Sequence, residues 1–164
     1  MHLGIVSDTH GHLDFTRAAV DLLARQQVDA VLHCGDIGSA EIVSLFAPWP
    51  THFVFGNVDD DPEELRQAIE AAGQTCHGRF GALELAGCQI AFLHGDDQSL
   101  FEETLSSQQY DLICFGHTHV CEQRRVGATT LLNPGALYRA NPRSFATVRL
   151  PGLSIRQVPV TAKS

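Results

Sequence analysis

Short apolar runs alternate with segments of helical periodicity along the first half of the chain. Residues 3–7, 30–32 and 53–55 form continuous apolar runs, which is the pattern of parallel strands that are covered on both faces. Each run is followed by a stretch in which apolar residues recur every three to four positions. This alternation predicts right-handed crossover connections and a parallel sheet.

The three predicted helices between and after these strands carry start and stop signals. Ser39 can cap the second helix, and Asp61 is followed by a proline and then by an acidic residue three positions after the cap. Gly73 is expected to end the third helix. The apolar stripes that would face the core are Phe15, Ala18, Ala19, Leu22 and Leu23; Ile42, Leu45 and Phe46; and Leu65, Ala68, Ile69 and Ala72.

The second half of the chain has a different pattern. Phe80–Leu85 and Cys88–Leu93 form a predicted hairpin around Gly87, and a helix is expected over residues 97–108. We find no linker or repeat, so we predict one domain over residues 1–164, with two β layers between outer helices. Successive antiparallel strands are expected over residues 120–126, 129–132, 145–150 and Ser154–Val160.

Five of the apolar runs end in the same way, with a carboxylate, amide or imidazole group beside a glycine. The fifth run, residues 111–115, leads directly into the sequence Gly-His-Thr-His. Ligands of open α/β sheets bind at the carboxyl ends of the strands, so these groups are expected to meet. They are Asp8 and His10; Asp36; Asn57; His94; and His117 and His119.

This set of seven side chains mixes carboxylates, an amide and imidazoles, and it contains no thiolate. Such donors suit borderline to hard divalent ions such as Mn, Fe, Co, Ni or Zn. Seven groups exceed the needs of one ion that also binds substrate, but they suffice for two ions if a carboxylate bridges. Singly, each residue is equally a cap, turn or core residue, and the prediction depends on the whole set. The other histidines considered are interpreted as structural or surface residues: His2, His33, His52 and His77.

Composition excludes several classes of function. The net charge of −8 argues against a polymeric nucleic-acid partner. No run approaches the ~20 apolar residues of a membrane span, and the first residues do not resemble a secretory signal. Five cysteines, an odd number without a CxxC pair, indicate reduced core residues and a cytoplasmic location. Cys34 lies near the candidate site, but we do not interpret it as a ligand or nucleophile.

The ordered motifs D-x-H (Asp8, His10), G-D (Asp36), G-N-x-D (Asn57, Asp59), H-G (His94) and G-H-x-H (His117, His119) resemble those of the calcineurin-like metallophosphoesterases. Residues 133–136, Asn-Pro-Gly-Ala, resemble a loop of the small bacterial and archaeal phosphodiesterase branch of that family. The resemblance implies an α/β fold, a four-layer α/β/β/α sandwich with a dinuclear metal site. It implies that a metal-bridging hydroxide attacks phosphorus and that Mn is the first choice among the ions. It assigns Asp8, His10 and His119 to one ion, Asn57, His94 and His117 to the other, and Asp36 to both.

One position departs from the family pattern. Many members have a histidine after the metal-binding asparagine, where it protonates the leaving oxygen, but this chain has Val58, which cannot donate a proton. Asp59 remains, although its usual role is to support that histidine. His12 is close in sequence and is a candidate substitute, with a solvent-exposed loop residue as the alternative. Arg139 and Arg143 are either phosphate contacts or surface charges.

The leading hypothesis is a cytoplasmic, metal-dependent phosphodiesterase that acts on a small phosphoester substrate, with no membrane partner. Its candidate catalytic residues are Asp36, Asn57, His117, Asp59 and His12. A phosphomonoesterase or nucleotide phosphatase is the second enzyme hypothesis. A third is a protein-binding scaffold of the same fold, which resembles a retromer subunit, but such a scaffold should have lost ligand positions. A homo-oligomer is left open.

Overall fold

The computed structural model describes residues 1–161, and the last three positions of the predicted 1–164 domain lie outside the described residues. The described part forms two β-sheets. The first sheet has the strand order β11-β10-β1-β2-β3-β4, and the second has the order β5-β6-β7-β9-β8. The strands are β1 (His2–Val6), β2 (Ala30–Cys34), β3 (Thr51–Val54), β4 (Thr75–Cys76), β5 (Phe80–Leu85), β6 (Cys88–Leu93), β7 (Leu112–Cys114), β8 (Glu122–Val126), β9 (Thr129–Asn133), β10 (Arg143–Arg149) and β11 (Ser154–Val160).

Three helices follow the parallel strands of the first sheet, and a fourth follows β6. The observed helix caps agree only in part with the caps predicted from the sequence. Asp61 accepts a hydrogen bond from the Glu64 N–H at 2.9 Å, as predicted. Ser39 is the N-cap residue of its helix, but its side chain makes no capping bond among residues 1–161. The helices are α1 (Leu13–Gln26), α2 (Ala40–Leu45), α3 (Pro62–Ala71) and α4 (Gln98–Ser106). None of these helices is long and apolar enough to cross a membrane.

Alternate residues of β6 show how the layers stack. Ile90 and Phe92 pack between the two sheets, against residues such as Leu32 of the first sheet. Ala91 points the other way and packs under α4. A third apolar cluster lies between the first sheet and helices α1 to α3. Three buried interfaces separate four layers, and the predicted α/β/β/α sandwich is confirmed.

Two pairs of the last four strands are antiparallel as predicted, β8 with β9 and β10 with β11, but β9 and β10 do not pair, so the four strands do not form one series. Strand β9 runs parallel to β7, and β10 crosses to the first sheet, where it pairs with both β1 and β11. The reason is the two-sided burial of β10: Phe145 packs under the helices, whereas Ala146 and Val148 pack between the sheets. Only a strand inside the first sheet has both of these environments. Strand β4 was not predicted.

Parallel pairing brings the loops that carry the candidate ligands to one edge. Strands β1, β2 and β3 are parallel neighbours in the first sheet, and β6 and β7 are parallel neighbours in the second. Their carboxyl ends therefore open at the same edge of each sheet. The two sheets are stacked, so the five loops meet.

Candidate metal centre

The carboxylate of Asp36 lies at the centre of the predicted ligands. Its Oδ2 atom is 3.4 Å from His10 Nε2 and 3.2 Å from His94 Nε2. One carboxylate oxygen thus faces two imidazoles that arrive from different sheets. This is the arrangement expected of a carboxylate that bridges two ions.

Asp8, His10 and His119 form the first group of ligands. Asp8 Oδ1 is 3.2 Å from His119 Nε2 and 3.8 Å from His10 Nε2, and the two imidazole nitrogens are 3.3 Å apart. Ligand atoms that bind one ion at about 2.0–2.2 Å are separated by about 3–3.6 Å in tetrahedral geometry. The three atoms therefore have nearly the spacing that a single divalent ion requires.

Asn57, His94 and His117 form the second group. The amide oxygen of Asn57 is 3.2 Å from His94 Nε2 and 3.1 Å from His117 Nδ1. The rings of His94 and His117 meet edge to face, with their centroids 5.2 Å apart. With Asp36, these three side chains supply four donors around a second position. All seven sequence-predicted ligands are therefore brought together.

The donors fit a cation because one carboxylate oxygen has no other partner. Asp8 is fully buried, and its Oδ1 accepts no hydrogen bond from any of residues 1–161. An ionised oxygen that is removed from water without a donor is costly. Imidazole nitrogens surround this oxygen, so a bound divalent ion would complete its environment.

Asp36 and His94 each favour the charged form of the other. Burial favours a higher pKa for Asp36, but hydrogen bonds from His94 and from the Val58 N–H outweigh it and hold the pKa below its usual value. Burial likewise favours a lower pKa for His94, but Asp36 and Asp8 raise it. A bound cation would compete with a proton for His94 Nε2, because only neutral imidazole binds metal.

A backbone carbonyl that sequence reasoning passed over orients His94. The Nδ1–H of His94 donates to the carbonyl oxygen of Cys34 at 2.8 Å, which leaves Nε2 directed at Asp36. Ser7 Oγ donates to the same carbonyl. The Cys34 thiol is fully buried, and burial raises its pKa well above the usual value, in line with its interpretation as a core residue. No side-chain pattern could have indicated this role for its backbone.

Five of the seven candidate ligands have a left-handed backbone conformation, with positive φ. This conformation is disfavoured for residues with a Cβ by about 1–2 kcal/mol. Such strain concentrates at functional sites, where tight turns direct side chains back toward a common point. The positive φ angles are 55° at Asp8, 45° at His10, 54° at Asp36, 66° at His117 and 59° at His119.

Asp59 joins the loop that follows β2 to the loop that follows β3, next to Asp36. Its Oδ1 accepts from the Gly38 N–H at 3.0 Å, and its Oδ2 accepts from the Gly56 N–H at 2.8 Å. Burial raises its pKa. The side chain of Val58 is 37% exposed and offers no proton. Both carboxylate oxygens of Asp59 therefore bind backbone N–H groups.

His12 is not the exposed loop residue that one reading of the sequence suggested. Its ring is half-buried, and the ring centroid lies 4.9 Å from that of Phe15 and 5.8 Å from that of Tyr138. The Nδ1 atom of His12 has no hydrogen-bond partner among residues 1–161. Tyr138 also contacts the ring of His10 at 5.2 Å, and sequence reasoning missed it. The nearby arginine Arg139 lies over Tyr138.

Arg143 packs against an aromatic ring. Its guanidinium lies 3.8 Å from the centroid of the Phe15 ring, and its Nε is buried without a partner among the described residues. The contact is a cation–π interaction. The position of the charge is therefore set by packing on helix α1.

The loop at residues 133–136 supports the Gly-His-Thr-His turn. Asn133 is fully buried, and its amide donates to the carbonyl oxygen of Gly116 at 2.7 Å and to Thr118 Oγ1 at 3.1 Å. It also accepts from the Gly135 N–H. These bonds fix the turn that carries His117 and His119.

The chain is similar to known phosphoesterases over most of its length. The family model of the calcineurin-like phosphoesterase superfamily domain matches residues 1–151. Phosphodiesterase MJ0936 of Methanocaldococcus jannaschii is 30% identical over 138 residues, which cover 82% of this chain and 83% of that protein. The solved structure of an archaeal phosphodiesterase matches with a TM-score of 0.90 at 26% identity, covering 98% of this chain and 100% of the other.

A likeness in fold alone extends further. A single-mutant Vps29 of Entamoeba histolytica matches with a TM-score of 0.68 at 18% identity, covering 98% of this chain and 100% of the other. The chain belongs to the calcineurin-like phosphoesterase superfamily, in a small prokaryotic metallophosphoesterase branch, and it is a hydrolase that acts on phosphoesters.

Proposed function

We propose that the chain is a metal-dependent phosphodiesterase that hydrolyses small phosphodiesters at a dinuclear centre. The main support is the position of Asp36 Oδ2, 3.4 Å from His10 Nε2 and 3.2 Å from His94 Nε2. The other ligands would be Asp8, His10 and His119 for one ion and Asn57, His94 and His117 for the other. When bound, two divalent ions polarise phosphoryl oxygens and activate water.

The charge of the ligand set favours an anionic substrate. Asp8 and Asp36 bring two negative charges, whereas neutral imidazoles and the Asn57 amide bring none. Two divalent ions held by this set would keep a net positive charge of about two, which attracts a phosphodiester anion. Manganese is our first choice of ion; nickel, iron, cobalt and zinc accept the same donors.

The surroundings of the centre favour diesters over monoesters. A cavity of about 300 Å³ adjoins Val58, and its lining carries the carboxylates of Glu41, Asp60, Asp61 and Glu64. A monoester dianion brings one more negative charge than a diester into this acidic surrounding. Nucleic-acid strands bring many more. The best substrate is therefore a small diester whose leaving group has no additional negative charge.

The leaving group is also constrained by Val58. A general acid typically contributes about 10²–10⁴-fold to such a reaction. The ring of His12 packs against Phe15 and Tyr138, and both oxygens of Asp59 accept backbone N–H groups. We therefore assign Asp59 a positioning role and leave His12 as a weaker candidate for the acid. Substrates with readily departing leaving groups should react best.

A protein-binding scaffold is the alternative that the fold likeness to Vps29 keeps open. The complete ligand set argues against it, because a scaffold has no need of five strained residues around a buried carboxylate.

All five cysteines lie among the described residues and are free. This supports a reducing, cytoplasmic location.

A panel of phosphoesters tests this proposal. Protein reconstituted with Mn should hydrolyse bis(4-nitrophenyl) phosphate with a kcat/KM at least tenfold above that for 4-nitrophenyl phosphate. His94→Gln should lose most of this activity, and the matched control His77→Gln should keep it, because His77 pairs with His52 away from the centre. A preference for the monoester, or activity that persists in His94→Gln, would overturn the proposal.

A further inference from the structure

A small pocket lies at the end of the first sheet that is remote from the metal centre. It opens beside His2, the first residue of β1, whose other end leads to Asp8. Strand register brings its polar residues together: His2 is opposite Arg149, and Thr147 is opposite Arg156. The cavity is about 130 Å³, and Ser154 and Gln26 complete its lining.

Two arginines, two hydroxyl groups, an imidazole and an amide line the pocket. The Nδ1 atom of the buried His2 ring has no hydrogen-bond partner within residues 1–161, although the imidazole interacts with the backbone of Gln26 and Gln27. Thr147 is 3% exposed. The guanidinium groups of Arg149 and Arg156 likewise form no ion pair or hydrogen bond within that range. Arg149, Arg156 and Ser154 are exposed, so their donors are open to a ligand from solution.

The local charge is positive in a chain whose net charge is −8. No carboxylate lines the pocket. The carboxylate of Asp29 interacts electrostatically with His2, but its Oδ2 already accepts a hydrogen bond from the backbone N–H of His2 at 2.7 Å. Gln26 is the last residue of α1, so a helix end with roughly half a negative charge is nearby. The two positive charges of Arg149 and Arg156 outweigh this partial negative charge.

We propose that this pocket binds a small tetrahedral oxyanion of the phosphate class. Arg149 and Arg156 would supply the charge and the forked donors that match phosphate oxygens. Thr147 and Ser154 would add hydroxyl donors. The volume is below the ~300–1,000 Å³ of sites for larger ligands, which excludes a whole nucleotide. The site is separate from the phosphoesterase centre and does not depend on the function proposed for it.

His2 provides a reporter inside the pocket. Burial and the Arg149 cation lower the pKa of His2, and the carbonyl of Gln26 only partly offsets them. An anion between the arginines would neutralise their charge and raise that pKa. The ring of His2 would therefore report binding here and not at the metal centre.

The test is an NMR titration of the zinc-reconstituted protein with inorganic phosphate at constant ionic strength. The imidazole resonances of His2 should shift in a saturable manner. The double variant Arg149→Gln/Arg156→Gln should weaken this binding at least tenfold while hydrolysis stays normal. Arg124→Gln/Arg125→Gln removes the same charge from exposed positions on β8 and should bind like wild type.

A second variant separates the pocket from general charge effects. Thr147→Val keeps the shape of the side chain but removes a donor, so we expect a several-fold weaker affinity at His2. The proposal is overturned if the His2 resonances do not respond, if they drift without saturation, or if the two double variants bind phosphate equally at His2. These outcomes are independent of whether the metal centre hydrolyses diesters.

Discussion

Gly56 lies so close to Asp36 that no side chain fits between them. A Cβ atom added to Gly56 would be 2.0 Å from Asp36 Oδ1 and 2.5 Å from the Asp36 backbone nitrogen. The backbone of Gly56 has an ordinary negative φ, so only the close approach requires glycine. The loop that carries Asn57 is thereby held against the Asp36 carboxylate.

Gly56→Ala should therefore displace Asp36 and lower both metal content and turnover. We expect a loss of activity of tenfold or more, measured as kcat/KM on an aryl diester, together with less bound metal. Gly152→Ala is the matched control, because an added Cβ there has no atom within 4 Å. Unchanged metal content in folded Gly56→Ala would show that this contact does not position Asp36.

The bridging role of Asp36 predicts an order of severity among ligand variants. Asp36→Ala removes a donor that faces both groups, whereas His10→Ala disturbs the group around Asp8 alone. Turnover should therefore fall further in Asp36→Ala than in His10→Ala, with both proteins folded by circular dichroism. Near-normal turnover in Asp36→Ala would refute the bridge.

Sequence reasoning predicted that the seven candidate ligands would lie together because each follows an apolar strand, and parallel strands place such ends together. It could not assign the role of Asp59, since the bonds to Gly38 and Gly56 depend on how two loops approach in space. It also misplaced β10, because an apolar run does not reveal which of two sheets it joins. The role of the Cys34 carbonyl could not be predicted either, because every residue has a backbone carbonyl and nothing in the sequence marks this one.

His33 should make the stability of the metal-free protein depend on pH. Burial lowers the pKa of His33 to about 3, whereas an unfolded histidine has a pKa of ~6.5. Between these values the unfolded chain binds a proton that the folded chain does not. The stability contribution is therefore complete above pH ~6.5 and is lost as the pH falls toward about 3.

Urea unfolding with excess chelator measures this effect. In wild type the free energy of unfolding should fall with decreasing pH, and His33 alone should account for up to ~1.4 kcal/mol per pH unit. His33→Gln can keep a hydrogen bond to Thr9 Oγ1 but cannot take up the proton, so its slope should be smaller by that amount. Equal slopes in the two proteins would contradict the buried neutral imidazole.

Because Val58 cannot donate a proton, the activity should depend on how readily the leaving group departs. Val58→His places an imidazole directly after Asn57 at a position that is 37% exposed. We expect kcat/KM to rise more for an alkyl ester than for a nitrophenyl ester, because only the poor leaving group needs protonation. Val58→Leu, which adds bulk without a proton, is the control. An equal effect on both esters, with intact metal content, would show that the missing acid does not belong at this position.

The most direct test of the dinuclear centre is a metal titration of the chelator-stripped protein. Elemental analysis and diesterase activity would be followed together as Mn is added. Seven converging ligands around Asp36 predict that close to two equivalents bind per chain and that full turnover requires both. Full turnover with no more than one tightly bound ion would contradict this account.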